Sequence, residues 1–352
     1  MFVLNTEIMV RINGHGHLLP EPNQIPGFMK KKEVFWISED KKFMHQKAWQ
    51  RPIDHPSYFL EDRLVWQKHH HIQHEVIITL SQLYCNGLPK SLAYDVIRFQ
   101  NDFQAEIQSQ YPENFTCGFT VNPSYTVSAL KEIERCVQNL GLSVLCLPTH
   151  FLNKKGEWLS IGNEKADPIF QLADKYELAV QIHPYDAPKM IPLSNRYWRF
   201  HLIWMCAQTA DAHHMISSRG IDQEFNKIRY CFAHGSQFTQ ASYGRRVQGF
   251  KGRPDIFENA HSPEENVLSK NIFFDTLVHD VLTMQLLIDR CGSSQVVAGL
   301  DNPYPLGEMD SVQGSYPGKV IFDAEIHGII TQEEKKAIWK DNVERWLGKT
   351  IK

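Results

Sequence analysis

Four places in this 352-residue chain carry side chains able to do chemistry at the end of a short apolar run: His15-Gly16-His17, His183-Pro184, His234-Gly235 and Asp301-Asn302. Histidine is the commonest metal ligand and titrates nearest neutral pH, and the chain has 17 of them. In His15-Gly16-His17 the imidazoles are two residues apart. On a strand, residues i and i+2 point the same way. Both rings can then aim at one point, with Gly16 leaving room between them. Adding His183 and Asp301 gives three imidazoles and one carboxylate. That set suits one divalent metal with a position left for water. Zn²⁺ is the expected ion, and Fe²⁺, Mn²⁺ and Co²⁺ are compatible. Such an ion lowers the pKa of bound water to about 7 and makes it a nucleophile.

Taken singly, each signal is weak. A lone histidine is more often a hydrogen-bonded core or loop residue, and a lone aspartate after a strand is more often a cap or turn residue. The conjunction carries the argument, so the next requirement is a fold that brings four distant strand ends together. Short β-rich runs occupy residues 9–17, 75–80, 115–121, 143–147, 179–183, 228–234, 271–275 and 295–301. Continuous apolarity, as in Val144-Leu145-Cys146-Leu147, fits strands buried on both faces of a parallel sheet. Helical patterns separate most of the runs. Leu130, Ile133, Val137 and Leu140 recur at three or four before Gly141. Asp167-Pro168 starts a helix over 169–176, and Thr331-Gln332-Glu333-Glu334 is a capping-box pattern for a last helix running to Gly348. Eight strands alternating with helices predict a single-domain α/β protein, a (β/α)8 barrel over 1–352, with the C-terminal strand ends forming one active face. Residues 18–63, with prolines at 20, 22, 26, 52 and 56, predict a small cap inserted after strand one.

Composition narrows the class. The net charge of −3, from 37 basic and 40 acidic residues, argues against a general nucleic-acid or polybasic-membrane binder. No run of about 18 apolar residues predicts a membrane span, and the start lacks the features of a secretory signal. Seven widely spaced cysteines without a C-x-x-C pair predict reduced thiols in a cytoplasmic protein.

Several motifs go beyond the ligand set. His15-Gly16-His17-Leu18-Leu19-Pro20 resembles an opening H-x-H-x-x-P, and His183-Pro184-Tyr185-Asp186 resembles H-P-W-D. Cys231-Phe232-Ala233-His234-Gly235 resembles C-F-A-H-G, Asp275-Thr276-Leu277-Val278-His279-Asp280 resembles D-A-L-V-H-D, and Asp301-Asn302-Pro303-Tyr304-Pro305-Leu306-Gly307-Glu308 resembles D-Y-P-F-P-L-G-E. Together they resemble the aminocarboxymuconate-semialdehyde decarboxylase family of the metal-dependent amidohydrolase superfamily, most closely over residues 126–310.

The resemblance implies His15, His17, His183 and Asp301 as zinc ligands and His234 as the general acid/base. It also implies Arg51 and Arg245 as binders of substrate carboxylates, Arg245 reaching the site of a neighbouring subunit in a homodimer. The reaction implied is non-oxidative loss of CO₂ from 2-amino-3-carboxymuconate 6-semialdehyde, a tryptophan–kynurenine intermediate. Decarboxylation of a hydroxy- or amino-benzoate, hydrolysis of a lactone or amide, and a non-catalytic binding barrel are the alternatives. Asn13, Ser236, Asn302, Tyr304 and Tyr185 depart from the family pattern and touch the pocket wall. The absence of a lysine at the end of strand four, Cys146-Leu147-Pro148-Thr149, favours one metal over two. His69-His70-His71 and His74 read as a solvated helix end on the opposite, stability face of the barrel, His213-His214 likewise as solvated helix residues, and His150 as an active-face residue.

Overall fold

The computed structural model describes residues 9–47, 49–184, 196–257, 259–267 and 269–351. Eight parallel strands run in sequential order: β1 (Ile12–Gly16), β2 (His74–Ile77), β3 (Phe115–Thr120), β4 (Val144–Pro148), β5 (Ala179–His183), β6 (Arg229–Phe232), β7 (Ile272–Asp275) and β8 (Val296–Val297). Bonds from Gly14 N to Ala298 O (2.7 Å), Asp301 N to His15 O (2.8 Å) and His17 N to Asn302 O (2.9 Å) join the last strand to the first. The sheet thereby closes into a (β/α)8 barrel.

Alternation along each strand divides the core in two. Val144 and Cys146 of β4 face the barrel interior with Val76, Cys231, Phe273 and Val297. Leu145 and Leu147, one residue out of phase, pack under the helix layer with Ile133, Ile169 and Ile182. Both faces of the sheet are dry, which is why the strands read as unbroken apolar runs. His183 lies four residues after the interior-facing Ala179, so the same alternation turns it inward.

Between β1 and the helix Leu60–His69 stands a three-stranded antiparallel sheet of Trp36–Ile37, Phe43–Gln46 and Trp49–Pro52. Phe35, Met44, Val34 and Met29 give it an apolar cluster of its own. This cluster continues into Leu80 and Leu83 after β2, Val96 of the helix Lys90–Gln110, and Tyr304 after β8. The small sheet is thus anchored over the C-terminal strand ends.

Three expectations change. The runs predicted to continue to His234 and Asp301 leave the sheet early, at Phe232 and Val297. His234 (φ 57°) and Asp301 (φ 50°) lie in left-handed turns, conformations uncommon for side-chain-bearing residues and concentrated at functional sites. The expected last helix is two, Gln332–Trp339 and Asp341–Leu347, broken at Lys340. The broken segment serves the end of β8 instead: Ile338 O accepts from Ala298 N at 3.0 Å, and the Asn342 side-chain amide donates to Val296 O at 2.7 Å. The capping box of Thr331 and Glu334 does form.

Candidate metal centre and active site

The barrel brings His15, His17, His183 and Asp301 together, all buried, with one ligand atom of each within 4.8 Å of the others. The second nitrogen of every imidazole is already committed. His15 Nδ1 lies 2.7 Å from Asp275 Oδ2, His17 Nδ1 3.3 Å from Ile78 O, and His183 Nδ1 2.7 Å from Pro184 O. Facing oxygen acceptors, these nitrogens carry the proton, and each Nε2 presents a lone pair to the common centre. His15 Nε2 and His183 Nε2 are buried without a protein partner. His17 Nε2 stands 2.9 Å from Asp301 Oδ1, and His15 Nε2 3.5 Å from the same oxygen. An unprotonated imidazole nitrogen and a carboxylate are both acceptors, and a cation among them removes the conflict. The residues therefore fit one divalent ion held by three nitrogens and one oxygen. Burial pushes the Asp301 carboxyl up, but the His17 hydrogen bond and the surrounding imidazoles outweigh it and hold Asp301 well below the usual range.

Two motifs explain how the ligands are held. Asp275, at the end of β7, bonds His15 through one oxygen and accepts from Gly235 N (3.1 Å) and Leu277 N (3.2 Å) through the other. One carboxylate thus ties a ligand to the turn that carries His234. In the segment 301–308, Asp301 brings its carboxylate to the cluster. A Cβ on Gly307 would come within 2.6 Å of Asp301 O, so only glycine lets the loop fold back. Glu308 accepts from Val320 N at 2.9 Å and secures the helix Lys319–Ile326. Asn302 joins a buried network with Asn13, Glu75 and Arg63: Arg63 Nε donates to Glu75 at 2.7 Å, and Asn13 and Asn302 each donate to Glu75 at 2.9 Å. The departures from the family pattern at 13 and 302 are thus partners in one network.

His234 borders the centre. Its ring is 5.0 Å from that of His183, and its Nε2 is 4.0 Å from Asp301 Oδ2. Burial is the main cause of a pKa lowered to about 4, against the opposing pull of Asp301 and Asp275. The imidazole is therefore neutral at pH 7. A cavity of about 300 Å³ opens above, walled by Arg51, Gln82, His201 and His279 among apolar Leu80, Met205, Phe238 and Val278. Arg51 comes from the cap strand Trp49–Pro52, with its guanidinium carbon 4.0 Å over the Tyr304 ring.

Other expectations land elsewhere. Arg245 is exposed on the helix Gln237–Gly252 and does not line the cavity of its own chain. His150 also lies off the cavity, 2.9 Å from Asp211. His74 is a satisfied core residue bonded to Glu113 O and Thr116, each at 2.9 Å. His69, His70 and Asp310 form a second ligand-capable group, but at an exposed helix end. Tyr185 and Asp186 lie outside the described residues. His201 is a wall residue that sequence reasoning missed. It sits in a single π-turn, Phe200–Trp204, and nothing in its spacing marks it. His279 and Asp275 lay inside a quoted motif, but their contacts depend on the fold.

Comparisons with known proteins agree with this fold. The chain is 27% identical over 324 residues to the 2-amino-3-carboxymuconate-6-semialdehyde decarboxylase of Dictyostelium discoideum, covering 89% of this chain and 85% of that protein. Its fold superposes on 5-carboxyvanillate decarboxylase from Sphingomonas paucimobilis with a TM-score of 0.75 at 18% identity, over 97% of this chain and 100% of the other. It also superposes on a dihydroxybenzoic acid decarboxylase from Polaromonas, solved with bound manganese and an inhibitor, with a TM-score of 0.74 at 14% identity over 97% of each chain. The amidohydrolase family profile matches residues 12–349, from the first barrel strand to the last helix, and the chain belongs to that family.

Proposed function

We propose that the protein is a metal-dependent, non-oxidative decarboxylase of 2-amino-3-carboxymuconate 6-semialdehyde, in the tryptophan–kynurenine route, with Zn²⁺ as its ion. One observation carries the reading: a single cavity is bordered by His17, His183 and Asp301 of the four-donor set, by the neutral imidazole of His234 and by Arg51. Those are the groups needed to hold a carboxylate, stabilise developing negative charge and move one proton. The Dictyostelium relative, matched over most of both chains, supports the substrate.

His15, His17, His183 and Asp301 would hold the ion, which when bound acts as a Lewis acid on substrate oxygen. Arg51 binds a substrate carboxylate through its planar fork, and the Tyr304 ring beneath it restrains the guanidinium. His234 takes a proton from pocket water, and the hydroxide left behind departs with the released CO₂ as bicarbonate or is reprotonated from solvent. When the carbon–carboxylate bond breaks and CO₂ leaves, the electron pair stays on carbon, and His234 delivers the proton there. Arg245, exposed on its own subunit, is assigned to the pocket of a second copy in a homodimer. The free cysteines, five of them buried, support a cytoplasmic site of action. In this structure no helix of the described residues is long and apolar enough to cross a membrane.

The test is decarboxylation of freshly generated aminocarboxymuconate semialdehyde by zinc-loaded protein, against the same protein stripped of metal. CO₂ release faster than spontaneous cyclisation, and only with metal, is expected. No acceleration by protein shown to hold one ion would discard this substrate and direct the assay to hydroxy- and amino-benzoates.

A further inference from the structure

Behind β6 and β7 the helices Met205–Ser218 and Gln237–Gly252 meet the short helix Pro263–Asn266. Between them lies a second cavity, of about 20 Å³, bordered by His213, Gln240, Tyr243, Arg246, Asn266 and Ser269. That is room for one water-sized occupant. Four polar atoms there are buried and have no partner: His213 Nδ1, Gln240 Nε2, Arg246 Nε and Asn266 Nδ2. Three of the four are obligate donors. His213, Gln240 and Asn266 are each less than 7% exposed.

No carboxylate borders the cavity. Arg246 Nε has no hydrogen-bond partner among the described residues. Burial draws its pKa down to about 10, so it stays charged at neutral pH. The packed rings of Phe232 and Phe274, 4.7 and 5.5 Å from that of His213, hold that imidazole in place. A half-buried guanidinium whose Nε is shut away from solvent, beside the buried and unpartnered amide nitrogens of Gln240 and Asn266, is a costly arrangement for a folded protein to keep.

We propose that this cavity is a buried binding site for one small monovalent anion of chloride's size, held by Arg246, Gln240 and Asn266. An anion accepts from all three donors at once and lies against the guanidinium charge, whereas a water has only two lone pairs to offer them. Its structural effect is to pin the Gln237–Gly252 helix to its neighbours. The site is separate from the metal centre, and its test does not depend on which reaction the enzyme performs.

The experiment compares thermal unfolding of the metal-loaded protein in sodium chloride and in sodium gluconate at equal ionic strength. A crystal containing bromide is examined for anomalous scattering. Expected are a saturable rise of roughly 2 °C or more with chloride and a bromide peak beside Arg246 Nε and Gln240 Nε2. Arg246→Met should abolish the chloride-specific rise, and Gln240→Leu should shift its midpoint to higher chloride. Should Arg246→Met not fold, the Gln240→Leu midpoint and the bromide peak decide the matter. A cavity holding only water in the bromide crystal, or an equal rise in chloride and gluconate, overturns the proposal.

Discussion

The two walls of the active-site cavity are built differently. On the metal side, His15, His17, His183 and Asp301 come from the ends of β1, β5 and β8. Their remaining hydrogen-bonding atoms are fixed by Asp275, Ile78 O and Pro184 O, all within the barrel. On the substrate side, Arg51 rides on a three-stranded cap, His201 on a π-turn, and Phe238 on the first turn of a helix. All three stand on elements that lie outside the eight barrel strands. The lesson is a division of labour. The barrel fixes where charge is stabilised, and separately folded pieces fix what is held against it. Substitutions on the metal side should remove the ion or the chemistry, and those on the other side should alter which substrate is used.

The largest effect is expected at Asp301. Asp301→Ala should lower bound metal from about one ion per chain to near none after dialysis, with activity at background, because the set loses its charged donor. Full metal occupancy in the dialysed variant would remove Asp301 from the ligand set. His234→Ala should separate chemistry from binding. It should keep the metal and lose about 10²- to 10⁴-fold in rate, the usual worth of a positioned proton carrier. A near-wild-type rate with metal bound would refute that role.

A smaller effect tests how the metal side is held. Asp275 touches no cavity atom, but it fixes the His15 ring and the Gly235 turn. Asp275→Asn should weaken metal affinity by roughly 10- to 100-fold, as loss of such orienting partners does. It should leave KM at saturating metal little changed. Competition with a chelator measures the affinity directly. Unchanged affinity would mean that His15 is oriented by packing alone.

The same division governs what was legible in the sequence. The ligands could be found because strand ends and histidines are both local signals, and parallel strands bury both faces and so read as apolar runs. The turns that aim them could not. The left-handed turn of His234 is tied to the Asp275 bond to Gly235, 40 residues away, and that of Asp301 to the backbone approach of Gly307, which no side-chain pattern encodes. The break at Lys340 was hidden for the same reason, since it arises from bonds to β8 rather than from a weak helical pattern. His201 and the Arg51–Tyr304 stack depend on how the cap and the π-turn meet. No spacing within either segment encodes that meeting.

The smallest effect on activity, and the sharpest on stability, should come from the other acid of the 301–308 segment. Asp301 is ringed by imidazoles and stays ionised. Glu308, 2% exposed, meets only backbone N–H groups through one oxygen, while its other oxygen has no partner. Burial lifts its pKa to about 7. The folded chain thus keeps this proton through a range where the unfolded chain, titrating near about 4.3, has lost it. Between those two values stability falls as pH rises. Above about pH 7 the deficit is constant, on the order of 3–4 kcal/mol. Glu308→Gln preserves the shape and the acceptor for Val320 N but cannot ionise. The variant should therefore lose less stability than the parent between pH 5.5 and 8, and be the more stable of the two at pH 8. Urea unfolding midpoints of both metal-loaded proteins at the two pH values measure this. Parallel losses in the two proteins would show that Glu308 is ionised in the folded state, and that its environment resembles that of Asp301 after all.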